Sequence, residues 1–209
     1  IFFKVVDGQL LLEESKKGSG VFDVILFARR DIESVNIPSY IKRINNSAFE
    51  YCRHLQAVTF EPNSSLEKIG TAAFYDIEGQ ERIVLPPSLK TTSINSFSYM
   101  KNVKYIDFLG KSVKIGISCF MSCNKLSAVT IPNADNITLD GGTFSLTPDD
   151  AKLFVKRSAK ISGNGLNSCK ERICYIEEDD SATVDDTIEE VTTKSEANPT
   201  ALDNHFENH

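Results

Sequence analysis

The 209-residue chain has no tryptophan, two methionines and three histidines. His54 stands alone in the body of the chain, and His205 and His209 lie at its end. No His–Ser or His–Cys arrangement with a supporting third group therefore points to nucleophilic catalysis. Five cysteines are an odd number, without the paired spacing of a metal site. The acidic stretches lack the glycine and ligand spacing of a calcium loop, and Gly163-Asn164-Gly165 reads as turn chemistry rather than a phosphate cradle. No stretch approaches the ~20 apolar residues of a membrane helix. These absences argue against an enzyme, a metal site, a cofactor and a transmembrane segment. A pI of about 5.2 without an aromatic stacking motif argues against nucleic acid as the partner.

What the chain does have is repetition. Two apolar positions three apart are followed five residues later by Phe, with a small residue or Cys three beyond: Ile41-Ile44-Phe49-Cys52, Leu66-Ile69-Phe74, Leu89-Thr92-Phe97, Ser112-Ile115-Phe120-Cys123 and Asn136-Leu139-Phe144. A degraded copy, Ser158-Ile161-Leu166-Cys169, closes the series. Nine residues after each Phe comes an apolar doublet with strand spacing: Val58/Phe60, Ile83/Leu85, Ile106/Phe108, Val129/Ile131 and Leu153/Val155, with Val35/Ile37 opening the series. From the second doublet residue to the next motif the chain advances 4, 6, 4, 4, 5 and 3 positions. One corner thus absorbs all the variation in period, as a stacked coil tolerates. A unit of this length cannot bury its own apolar face, and stacking puts Phe on Phe and doublet on doublet. Pro38, Pro86 and Pro132 follow three doublets directly and end the strands there.

The run Val35-Asn-Ile-Pro-Ser-Tyr-Ile-Lys-Arg-Ile-Asn-Asn-Ser-Ala-Phe-Glu-Tyr-Cys-Arg-His-Leu55 resembles the BspA-like leucine-rich repeat, and the resemblance extends over roughly residues 32–175. It implies a mainly β leucine-rich-repeat solenoid of about six coils, with a short strand in each. Proteins of this family are commonly surface or secreted molecules of anaerobic bacteria and parasitic protists, associated with adhesion to host matrix or cells. Thr92, Ser112, Asn136 and Ser158 depart from apolar framework positions, and Gln80 and Asp150 stand where a Leu is expected.

Residues 1–31 lack the repeat. Asp7-Gly8 between two apolar runs signals a hairpin, and Val21–Phe27 is a further strand, together an N-terminal cap for the first coil. Residues 32–176 are the repeats. Residues 177–209 carry eleven acidic residues and one basic, a composition that cannot offset ordering entropy, so a disordered acidic tail is expected. The alternative is a short capping helix built on Val184, Ile188 and Val191, which recur at helical spacing. The chain opens on Ile rather than Met, as a processed chain or a fragment would. Cys52, Cys119, Cys123 and Cys169 occupy framework positions and read as buried small hydrophobes, leaving Cys174 without a framework reason to be buried.

By strand alternation the outward residues are Asn36, Thr59, Arg82, Val84, Tyr105, Asp107, Thr130, Lys152, Phe154 and Lys156. We expect them to form a concave binding face for a protein partner, with Tyr105, Phe154, Arg82 and Lys152 as anchors. The alternative is an ordinary solvated face, because Val84 and Phe154 are isolated apolar residues. Lys101, Lys104, Lys111, Lys114, Lys125, Lys152, Lys156, Arg157 and Lys160 read chiefly as solvated faces and secondarily as a surface for an anionic ligand. Sequons at Asn45, Asn63 and Asn136 lean toward an extracellular or cell-surface protein that meets a host matrix or surface protein. An intracellular scaffold or regulator of the same fold, cytoplasmic in location, is the alternative.

Overall fold

The computed structural model describes residues 2–176. The expected acidic tail and its alternative helix, in 177–209, lie outside the described residues. The chain winds as a β-solenoid of about seven turns with two ribbons of strands. One ribbon is a nine-stranded sheet: β1 (Lys4–Val6), β2 (Leu10–Glu13), β3 (Val24–Ala28), β5 (Arg43–Ile44), β7 (Lys68–Ile69), β9 (Thr91–Thr92), β11 (Ser112–Ile115), β13 (Asn136–Leu139) and β15 (Lys160–Ser162). The other carries the doublets. It is split into a pair, β4 (Ser34–Ile37) and β6 (Ala57–Phe60), and a five-stranded sheet, β8 (Arg82–Leu85), β10 (Tyr105–Phe108), β12 (Ala128–Ile131), β14 (Lys152–Lys156) and β16 (Ile173–Ile176).

The hairpin forms as the turn chemistry requires. Asp7 and Gly8 both take positive φ, 51° and 63°, and Gln9 N–H donates to Val6 O at 2.9 Å, joining β1 to β2 antiparallel. β2 pairs antiparallel with β3, and β3 runs parallel to β5, so the hairpin hands its edge to the first coil. Asp23 beside β3 is buried and receives the Ser15 N–H and hydroxyl at 2.9 Å each. Its main-chain carbonyl accepts Lys42 N–H at 2.8 Å.

The Phe ladder is the spine of the core. Phe49, Phe74, Phe97 and Phe120 are fully buried, and successive rings from Phe49 to Phe144 lie 4.9, 5.5, 6.2 and 5.5 Å apart. The arc carrying them is not a strand. Two residues before each Phe the backbone is left-handed, at Ser47, Ala72, Asn95, Ser118 and Gly142, and two after it again at Tyr51, Asp76, Tyr99, Ser122 and Leu146. The alternation aims main-chain N–H groups at the next coil: Ser47, Phe49 and Tyr51 donate to the carbonyls of Thr71, Ala73 and Tyr75 at 2.8–2.9 Å. The pattern repeats coil by coil up to Ser122, which donates to Ser145 O. A third ladder of hydrogen bonds therefore satisfies the buried backbone where no sheet exists.

The departures resolve differently. Thr92 stays inside, 1 % exposed, its hydroxyl 3.3 Å from Cys119 Sγ. Ser112 and Asn136 face outward while Val113 and Ile137 fill the interior beside them. The seventh doublet-side strand, β16, was not evident in the repeat. Ile173 pairs with Leu153, two residues earlier than the spacing from Leu166 requires, because helix α1 (Leu166–Cys169) and a 3-10 turn (Lys170–Arg172) shorten the last coil.

Candidate functional site

The outward rows stand in register across the coils. Arg82, Tyr105, Ala128 and Lys152 form one row, and Val84, Asp107, Thr130, Phe154 and Cys174 the other. Asn36 and Thr59 pair in the split-off sheet, where Thr59 Oγ1 lies 3.0 Å from Asn36 Oδ1. Not all ten expected face residues reach solvent. Asp107 is 1 % and Thr130 4 % exposed: Arg82 Nε donates to Asp107 Oδ2 at 2.8 Å, and the Thr130 hydroxyl donates to its other oxygen. Two residues that point outward are thus sealed by their neighbours, and the buried carboxylate is held by a charge-assisted bond. The Arg82 guanidinium also lies 5.8 Å from the Tyr105 ring centroid. Lys152, Phe154 and Lys156 sit half-buried on β14, with Lys156 Nζ 2.5 Å from Asp135.

The rows are interrupted between β6 and β8, and a groove of about 810 Å³ opens there. Thr59, Arg82 and Val84 lie on it, between a wall from Glu61 to Ser64 and one formed by Pro86, Pro87 and Ser88. Phe60, the second residue of its doublet, is only half-buried and lines the groove, whereas its counterparts Ile37, Leu85, Phe108, Ile131 and Val155 are at most 1 % exposed. Val84 is 42 % exposed. Glu61 is anchored by Ser39 N–H, which donates to its carboxylate at 2.7 Å. Ser88 Oγ is buried with no hydrogen-bond partner among the described residues.

Three of the ten expected residues meet at this groove; Glu61 to Ser64, Gln80, Pro86, Ser88 and Leu109 were not expected there. Two signals marked the place in the sequence. The corner segment from Phe60 to Leu66 is the longest of the series, and Gln80 departs from the framework.

Several of the other charged and polar groups are engaged away from the groove. Lys101, Lys104 and Lys114 lie 2.5–3.4 Å from Glu78, Glu81 and Asp140 of adjacent coils, and Lys125 donates to Asn102 at 2.7 Å. Burial pushes the Cys119 and Cys123 thiols up to about 12, out of the nucleophilic range. Cys52 and Cys169 are raised by the same cause. Cys174 is half-buried in the outward row. Among the sequon residues, Asn63 is exposed on the groove wall, Asn136 is exposed at the start of β13, and Asn45 is half-buried with its side chain 3.5 Å from Glu13. Among the described residues no three His, Cys, Asp or Glu side chains cluster as a metal site, and no helix is long and apolar enough to cross a membrane.

Comparison with known proteins gives one family. Residues 23–147 match the model of the BspA type leucine rich repeat region in six copies. A leucine-rich repeat protein from Eubacterium ventriosum ATCC 27560 is similar in structure, with a TM-score of 0.60 and 15% sequence identity. The match covers 83% of this chain and 50% of that one, so this chain spans half the length of that protein. The pneumococcal vaccine antigen PcpA aligns with a TM-score of 0.32 at 15% identity, over 69% of this chain and 66% of that one. A leucine rich cell surface protein from Faecalibacterium prausnitzii A2-165 aligns with a TM-score of 0.25 at 16% identity, over 64% and 57% of the two chains. No curated protein matches the sequence.

Proposed function

The chain belongs to the BspA type leucine rich repeat family, and from that membership we propose that it is a non-catalytic module that binds a protein partner on its doublet-strand face, anchored in the groove between β6 and β8. The observation that carries the reading is the groove itself. It interrupts an otherwise regular ladder, leaves Phe60 half-buried and Val84 exposed on a lining that includes Arg82, and has the concave, mostly apolar character of a recognition site. Arg82 and Tyr105 are of the types that dominate binding energy at interfaces.

The finer reading is a cell-surface or secreted adhesion protein that contacts a host matrix or surface protein. Its support is the repeat family and the exposure of the Asn63 and Asn136 sequons. One observation favours the rival, an intracellular scaffold or regulator: all five cysteines are free, as in a reducing compartment. Detection of the native protein on intact cells separates the two.

The test of the groove is a random-peptide library panned on the immobilised full chain, with each selected peptide titrated against wild type and Val84→Arg. A guanidinium at position 84 fills the floor of the groove without touching the core. Peptides selected on wild type should lose at least about tenfold in affinity, and equal binding to both proteins would overturn the proposal.

A further inference from the structure

We propose that Gln80 is the positioning residue that keeps β6 and β8 apart and thereby opens the groove. Its framework position is filled by Leu55, Val103 and Leu126 in other coils, all at most 1 % exposed. Gln80 stays inside as they do, 7 % exposed, and a buried carboxamide must find hydrogen-bond partners. It takes them from the main chain. Its Oε1 accepts Val58 N–H at 2.7 Å, and its Nε2 donates to Arg82 O. Val58 lies on β6 and Arg82 opens β8, so the side chain spends main-chain groups of the two strands that would otherwise pair, the competition short polar side chains offer to secondary structure generally. Gly79 makes this possible, because a Cβ there would lie 2.8 Å from Leu55 O.

Two internal comparisons isolate the effect. Asp150 is the other polar residue at this framework position, and it turns outward while Ala151, 0 % exposed, fills the interior. β12 and β14 pair there over four residues without a break. Corner length alone does not split the sheet either: the segment after Ile131 is also longer than the usual four positions, at five, and β12–β14 is continuous. The ladder is interrupted where a polar residue is retained inside.

The inference rests on the groove reading only for its biological use, and the experiment keeps the two apart. Amide hydrogen exchange is measured on the full-length wild type, Gln80→Leu and, as a second apolar replacement that adapts to an irregular space, Gln80→Met. Exchange at Phe60 and Val84, whose amides face the break, should slow by at least about tenfold in either folded variant as β6 and β8 pair, with 106–108 and 129–131 unchanged; Val58 N–H is already bonded in the wild type and is not a reporter. Asp150→Leu should not alter exchange at Phe60 or Val84. Unchanged or faster exchange at Phe60 and Val84 in folded Gln80→Leu and Gln80→Met would overturn the role of Gln80. The peptides selected on wild type are then titrated against the closed variant. Retained binding alongside slowed exchange would uphold Gln80 as the gate while sinking the groove as the binding site; lost binding alongside slowed exchange upholds both.

Discussion

At the scale of single residues the molecule separates core from face sharply. Phe97 is wholly buried, stacked between Phe74 at 5.5 Å and Phe120 at 6.2 Å, so Phe97→Ala leaves a cavity that close-packed neighbours cannot fill. It should cost roughly 3–5 kcal/mol. Tyr105 is half-buried in the outward row, and Tyr105→Ala should cost no more than about 1 kcal/mol. Urea unfolding of the two variants checks the pair, and equal losses would mean the strand register is slipped by one residue. The inward set was legible in the sequence because Phe and doublet spacing reports burial directly. Which outward residues reach solvent was not legible. Asp107 and Thr130 are hidden because Arg82 and Thr130 close over one carboxylate, and alternation says where a side chain starts, not what its neighbours cover.

At the scale of elements, the strands on the doublet side followed from period-two spacing, and the hairpin from Asp7-Gly8. The arc around each Phe did not. Its first left-handed position holds Ser, Ala, Asn, Ser and Gly in successive coils and its second Tyr, Asp, Tyr, Ser and Leu, with no single residue type to signal the conformation; the coil-to-coil hydrogen bonds impose it. Ala72 tests this. Its φ of 52° is poorly tolerated by a β-branched side chain, so Ala72→Val should destabilise the fold by roughly 1–3 kcal/mol. Ala72→Gly, which accepts the conformation, should stay within about 1 kcal/mol of wild type, as read from thermal melts of both variants. A Val variant as stable as the Gly one would show that the arc relaxes to another backbone path. The strand β16 was hidden for a different reason: the last coil is shortened by α1 and the turn after it, which breaks the spacing on which every earlier strand was found.

At the scale of the whole molecule, the described coils form one stack in which each layer satisfies its neighbours. Phe rings stack, main-chain N–H groups reach the next coil, and charged pairs such as Lys90–Glu67 at 2.7 Å and Arg53–Asp76 at 2.6 Å repeat about one coil apart. Exposed pairs of this kind contribute little stability each; arranged coil over coil, they favour one alignment of neighbours. Against that regularity the break between β6 and β8 is the place where the face departs from its own repeat, and its two sequence marks, the long corner after Phe60 and Gln80, became meaningful only when the fold brought them to one groove. The most direct measurement of the central claim is a hydrogen-exchange footprint of the full chain bound to the tightest peptide recovered by panning. The account predicts protection concentrated at residues 58–64 and 82–88, on the two walls of the groove. Protection confined to the Phe arc, around Tyr51, Tyr75 and Tyr99, with 58–64 and 82–88 exchanging as in the free protein, would contradict it.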